Sequence, residues 1–132
     1  MKKGFMKMVL GTMSLLALAA CGNTSGTANS AAEADGALQE IKDSGKLVVG
    51  TCADYPPYEW HLVQDGEDKI IGFDIDIAQA IADELGVELE VKDMDFDGLI
   101  PALSTGKVDM IIAGMNPTEE RKQSVDFTDV YY

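Results

Sequence analysis

The chain has 132 residues, 46% of them apolar, and sets 23 Asp+Glu against 10 Lys+Arg for a formal charge of −13. That balance excludes binding to nucleic acid, whose phosphates need basic partners. It equally excludes adhesion to anionic lipid headgroups through charge alone.

In chain order, the first segment is an export signal. Lys2, Lys3 and Lys7 form a basic start, and "MVLGTMSLLAL" (8–18) follows as an apolar run. That run is far shorter than the roughly 20 residues needed to span a bilayer. The next residues, "LAAC" (18–21), resemble the lipobox of bacterial lipoproteins. The resemblance implies that residues 1–20 are removed and that Cys21 carries a diacylglyceryl group, tethering the protein to the membrane. Loss of 1–20 takes away three lysines and no acid, which leaves a formal charge of −16. Residues 21–37, "CGNTSGTANSAAEADGA", are small and polar and predict a flexible leash. With Cys21 used for lipid, Cys52 has no partner for an intrachain disulfide and reads as a buried thiol.

Residues 38–132 are long enough for one small core. "LQEIKDSG" (38–45) predicts a short helix stopped by glycine, and "KLVVGT" (46–51) a strand. "GFDIDIAQAIADELG" predicts a helix with Ile77, Ala78, Ile81, Ala82 and Leu85 on one face. Asp74 is its expected N-cap and Gly86 its stop. "VELEVK" (87–92) alternates as a half-buried strand. "DGLIPALSTG" (97–106) predicts a helix capped by Asp97. "VDMIIAG" (108–114) is apolar enough for a buried central strand. Thr118 is expected to cap "TEERKQ", and "VDFTDVYY" (125–132) to run extended. Strands alternating with helices predict an α/β fold, a mostly parallel sheet flanked by helices.

"DMDFDG" (93–98) opens like a calcium loop, but its twelfth position is Ser104 where a bidentate Glu is needed. It is read as solvated acids plus a cap, and no metal is expected. In an open parallel sheet, ligands bind beyond the carboxyl ends of strands. Three such ends gather suitable groups. "CADYPPYEW" (52–60) is expected to form a rigid aromatic loop, Phe96 follows the second expected strand (87–92), and "GMNPTEER" (114–121) ends on the only arginine in the chain. Arg121 either closes a surface ion pair, worth about 0–1 kcal/mol, or grips a ligand carboxylate through two parallel bonds that lysine cannot make.

Together, "GKLVVGTCADYPPYEW", "GFDIDIAQAIADELG", "FDGLIPALSTGKVDMIIAGMNPTEER" and "VDFTDVYY" resemble the first lobe of the polar amino-acid substrate-binding proteins of ABC importers. The resemblance implies a two-lobed type II periplasmic-binding fold with the ligand between the lobes. In that family the arginine matching Arg121 grips the α-carboxylate of a free amino acid. Positions matching Gly114 and Asn116 help hold it, and aromatics matching Tyr55 and Phe96 cover its aliphatic part. The second lobe is expected to receive the ammonium group. The implied partner is an ABC permease, and no cofactor and no catalysis are implied. Asn116 stands where many relatives have Ser or Thr, so side-chain selectivity is left open. The likeness stops at Tyr132, about where the crossover to the second lobe begins, so an incomplete first lobe is expected.

Three other readings stay open at this stage. A dehydratase of the same fold needs a general acid, and residues 38–132 offer no convincing acid–base pair, His61 reading as a solvated loop residue. A receptor's sensing lobe and a non-binding remnant are the others.

Overall fold

The computed structural model describes residues 27–131, with side chains from residue 36 onward. The expected signal segment, Cys21 and the start of the leash lie outside the described residues. Helix α1 (Thr27–Ser44) begins well before Leu38, so part of the stretch read as a leash is helical. It is followed by β1 (Lys46–Thr51), β2 (Asp54–Tyr55), β3 (Glu59–Gln64) and β4 (Glu67–Ile71). Then come α2 (Phe73–Leu85), β5 (Glu88–Asp93), α3 (Phe96–Ser104), β6 (Met110–Ile111) and a 3₁₀ turn at Arg121–Gln123.

The main sheet has the order β5-β1-β6 and is parallel throughout. Lys46 to Thr51 run in register with Glu88 to Asp93, and Val49 and Gly50 pair with Met110 and Ile111. Thus β1, and not the apolar run 108–114, is the central strand. That run contributes only a short edge strand, and its apolar character reflects burial of Val108, Ile112 and Ala113 between layers.

Successive side chains of a strand point to opposite faces, and the two faces of β1 are covered differently. Leu47 and Val49 pack with Ala78 and Ala82 of α2 and with Ile112, ringed by Ile41, Ile77, Ile81 and Leu89. On the other face, Leu99 of α3 and Val108 close over Gly50, leaving little room for a larger residue there. Helices therefore cover both faces, and the strand order reverses beside β1.

The second sheet, β2-β3-β4, is antiparallel and was not among the expected elements. Its hairpin pairs Trp60 with Ile71 and Gln64 with Glu67 across Asp65-Gly66, both at positive φ (57° and 84°). That is the Asp-Gly turn whose twist matches paired strands.

Two expected caps are corrected. Helix α2 is preceded by Gly72, with no side-chain cap, and Asp74 is fully buried inside the first turn. Tyr58 and Pro57 carbonyls accept the Asp74 and Phe73 amides instead, so the start of the helix is already satisfied. At α3 the flanking residue is Asp95, and Asp97 lies within the first turn without capping. Gly86 does end α2, at φ 71°, with the Val87 amide reaching back to Ala82. Thr118 Oγ1 accepts the Arg121 amide at 3.2 Å, as an N-cap would.

Candidate functional site

The carboxyl ends of β1, β5 and β6 meet on one edge of the sheet. After β1, the Ala53 amide donates to Asp93 Oδ1 at 2.8 Å, which pins the aromatic loop to the end of β5. Asp93 is therefore a brace and not merely a solvated acid. The loop is not aperiodic either: Tyr55 lies in β2 and pairs with Glu59. Its half-exposed ring stacks on Tyr58 at 5.3 Å and 15°. Tyr58 meets Phe73 edge-on at 6.4 Å, and Phe73 meets Tyr131 at 6.3 Å, making a row of four rings.

After β6, Gly114 turns at φ 55°, and a Cβ there would touch the Tyr55 ring at 3.4 Å. Two residues further on, the Asn116 carbonyl accepts Arg121 Nη1 at 3.0 Å. The guanidinium lies over Phe96, with Cζ 5.2 Å from the ring centroid, a distance suited to a cation–π contact. None of the ion pairs found among the described residues uses Arg121.

The structure thus brings Tyr55 against Gly114, Phe96 against Arg121 and Arg121 against Asn116, with residues 114–116 joining the two groups. Phe96, Met115, Glu120 and Arg121 help line a cavity of about 270 Å³. A larger cavity of about 600 Å³ lies between β6 and residues 125–131, among apolar side chains such as Ile77, Ile81, Met110 and Val130. It contains none of the five expected ligand-binding residues and has the character of a packing groove.

Three participants escaped the sequence reading. Asp74 Oδ2 accepts the Gly114 amide at 2.9 Å and the Tyr131 hydroxyl at 3.0 Å. Glu59, at the start of β3, is 1% exposed beside Asp74. Burial, then the Asp74 charge and the hydrogen bond between the two, push its carboxyl up to about 8. No local pattern marks either contact, because the partners come from separate elements.

Among the described residues, two further titratable groups are shifted upward. His61 is in β3, with Nδ1 3.0 Å from Asp68 and Nε2 3.3 Å from Asp93, and the Asp68 bond, then the Asp93 bond, raise its pKa. Cys52 is half-buried, and its thiol is pushed up first by burial and then by the Asp54 charge, which disfavours the thiolate. Among the described residues no cluster of His, Cys, Asp or Glu is arranged to hold a metal ion.

A parallel sheet with helices on both faces, and a candidate site at its switch point, match the first lobe of a type II periplasmic-binding fold. The chain belongs to the bacterial extracellular solute-binding proteins, family 3, which match residues 47–132. It is 44% identical over 132 residues to the "Arginine-binding extracellular protein ArtP" of Bacillus subtilis, covering all of this chain and 45% of that one. It resembles the substrate-binding protein of an amino acid ABC transporter from Streptococcus pneumoniae bound to L-arginine, with a TM-score of 0.70 and 51% identity. That likeness covers 73% of this chain and 40% of the pneumococcal one. Arginine-bound domain 1 from TmArgBP matches with a TM-score of 0.66 and 55% identity, over 70% of this chain and 71% of that one. The chain spans about half the length of the curated relatives it matches. The family comprises extracytoplasmic solute-binding proteins and not enzymes.

Proposed function

We propose that this chain captures a free amino acid with a cationic side chain for an ABC importer, gripping its α-carboxylate with Arg121. The observation that carries this reading is the placement of Arg121, stacked on Phe96, bonded to the Asn116 carbonyl and outside every ion pair found among the described residues. A guanidinium held this way is oriented before a carboxylate arrives, so less ordering cost is met on binding. The Gly114 turn exposes backbone beside it, and Tyr55 and Phe96 offer ring faces to an aliphatic stem.

The choice of a cationic side chain draws support from the names of its relatives, ArtP and the arginine-bound lobes. The acidity of the chain and its row of four rings suit a positive ligand end. Residues 1–20 are read as a lipoprotein signal and Cys21 as the lipid anchor to the outer face of the cytoplasmic membrane, delivering ligand to a permease. Replacing Cys21 with Ala should move the protein from the membrane fraction to the medium.

Thermal shift and calorimetry with an amino-acid panel test the ligand class. Arginine, lysine or histidine should stabilise the chain, by about 2.7 kcal/mol at a hundredfold excess over Kd. Stabilisation by glutamine or cystine with none by the basic amino acids would overturn the cationic assignment.

A further inference from the structure

Glu59 and Asp74 bury two carboxyl groups side by side, 1% and 0% exposed, where β3 leaves the aromatic loop and α2 begins. Their backbones are tied together, since the Asp74 amide donates to the carbonyl of Tyr58, the residue before Glu59. One oxygen of Asp74 is doubly engaged, by the Gly114 amide and the Tyr131 hydroxyl. The other, Oδ1, and Glu59 Oε2 are buried and have no donor as long as both groups are carboxylates. Two unpaired like charges in a dry site are strongly disfavoured. One proton removes both orphans at once: a neutral Glu59 donates to Asp74.

We propose that Glu59 carries a proton that it donates to Asp74, and that the two together form the positioning element of the gripping loop. Asp74 relays that bond to the Gly114 amide, from which the chain runs directly to Asn116 and its contact with Arg121. The groups facing the pair fit this arrangement. Burial raises Glu59 first, then the charge of Asp74 of α2 and last that of Asp54 of β2, and the Tyr131 hydroxyl donates to Asp74 Oδ2. Loss of the Glu59 proton turns the pair into two repelling anions. The amide of Gly114 then loses a fixed acceptor. For its effect on affinity the inference rests on Arg121 and the 114–116 loop being the ligand grip. Its structural part does not.

The test follows the Gly114 amide by NMR between pH 5 and pH 9.5, using the full chain, Glu59→Gln and Asp74→Asn. In the parent, the Gly114 resonance should shift with a midpoint near 8, the value to which Glu59 is raised. Glu59→Gln keeps a neutral donor and should abolish that titration while holding Gly114 near its low-pH position. Asp74→Asn should displace the resonance at every pH. Arginine affinity should weaken about tenfold in the parent above the midpoint and stay level in Glu59→Gln. An unchanged Gly114 titration in Glu59→Gln would overturn the proposal. Should Asp74→Asn fail to fold, the glutamine variant decides alone. If Gly114 titrates as described but no arginine binds at any pH, the pair stands and the ligand reading fails.

Discussion

Arg121 shows how far a single residue can be read. Its scarcity in an acidic chain marks it in the sequence, and its placement over Phe96 is what the proposed carboxylate grip rests on. Lysine at this position keeps the charge and loses the planar fork, so Arg121→Lys should weaken amino-acid binding by roughly ten- to a hundredfold, the worth of about 1.5–3 kcal/mol of charge-assisted bonding. Calorimetry reads this directly, and an unchanged affinity would remove Arg121 from the grip. Asp74 shows the opposite case. An acid just ahead of an apolar helical run looks like a cap, yet two loop carbonyls take the first amides and free the carboxylate to reach Gly114. Nothing within the window around Asp74 announces a partner so distant in the chain.

At the scale of elements, helices α2 and α3 and the strands β1 and β5 were legible because their apolar patterns are strong and glycines follow both helices. The β3–β4 hairpin was not, because its strands are mostly exposed and carry charges, so no apolar alternation distinguishes them. The Asp65-Gly66 pair was the available signal. Where the hairpin hands over to α2, Gly72 sits at φ 136°, and a Cβ there would meet the Tyr58 carbonyl and the Trp60 ring. Gly72→Ala should therefore cost about 3 kcal/mol in urea unfolding, from strain plus overpacking. Gly86→Ala is the contrast, with a similar restriction at φ 71° but open space around it, and should cost about 1 kcal/mol.

The same hairpin carries a pH effect. His61 is raised above its ordinary 6.5 by Asp68 and then Asp93. The folded chain thus holds this proton more tightly than the unfolded one. The resulting stability is complete below the unfolded value and is lost as pH rises through the folded one. Melting temperatures of the parent and His61→Gln should therefore converge as pH increases from 6 upward. A gap that widens instead would contradict the assignment.

Across the whole molecule, the order β5-β1-β6 places three strand ends at one switch point, and this is what gathers residues from distant parts of the sequence. The meeting of these three strand ends was legible from that rule, once strands and helices were seen to alternate; that they hold a ligand is the proposal tested below. The two-layer role of the 108–114 run was not, since continuous apolarity fits burial between helices as well as burial between strands. A formal charge of −13 also acts over the whole fold. Self-repulsion among surface carboxylates is screened as salt is raised, so the melting temperature should increase between 0.05 and 0.5 M NaCl (nominal test conditions, spanning Debye lengths of about 14 to 4 Å).

The most direct test of carboxylate capture is calorimetric titration of the chain with L-arginine and with agmatine, which is arginine without its carboxylate. Binding of arginine, with none detectable for agmatine and a sharply weaker arginine isotherm in Arg121→Lys, is the expected result. Agmatine binding as tightly as arginine, or arginine binding indifferent to the lysine substitution, would contradict the account.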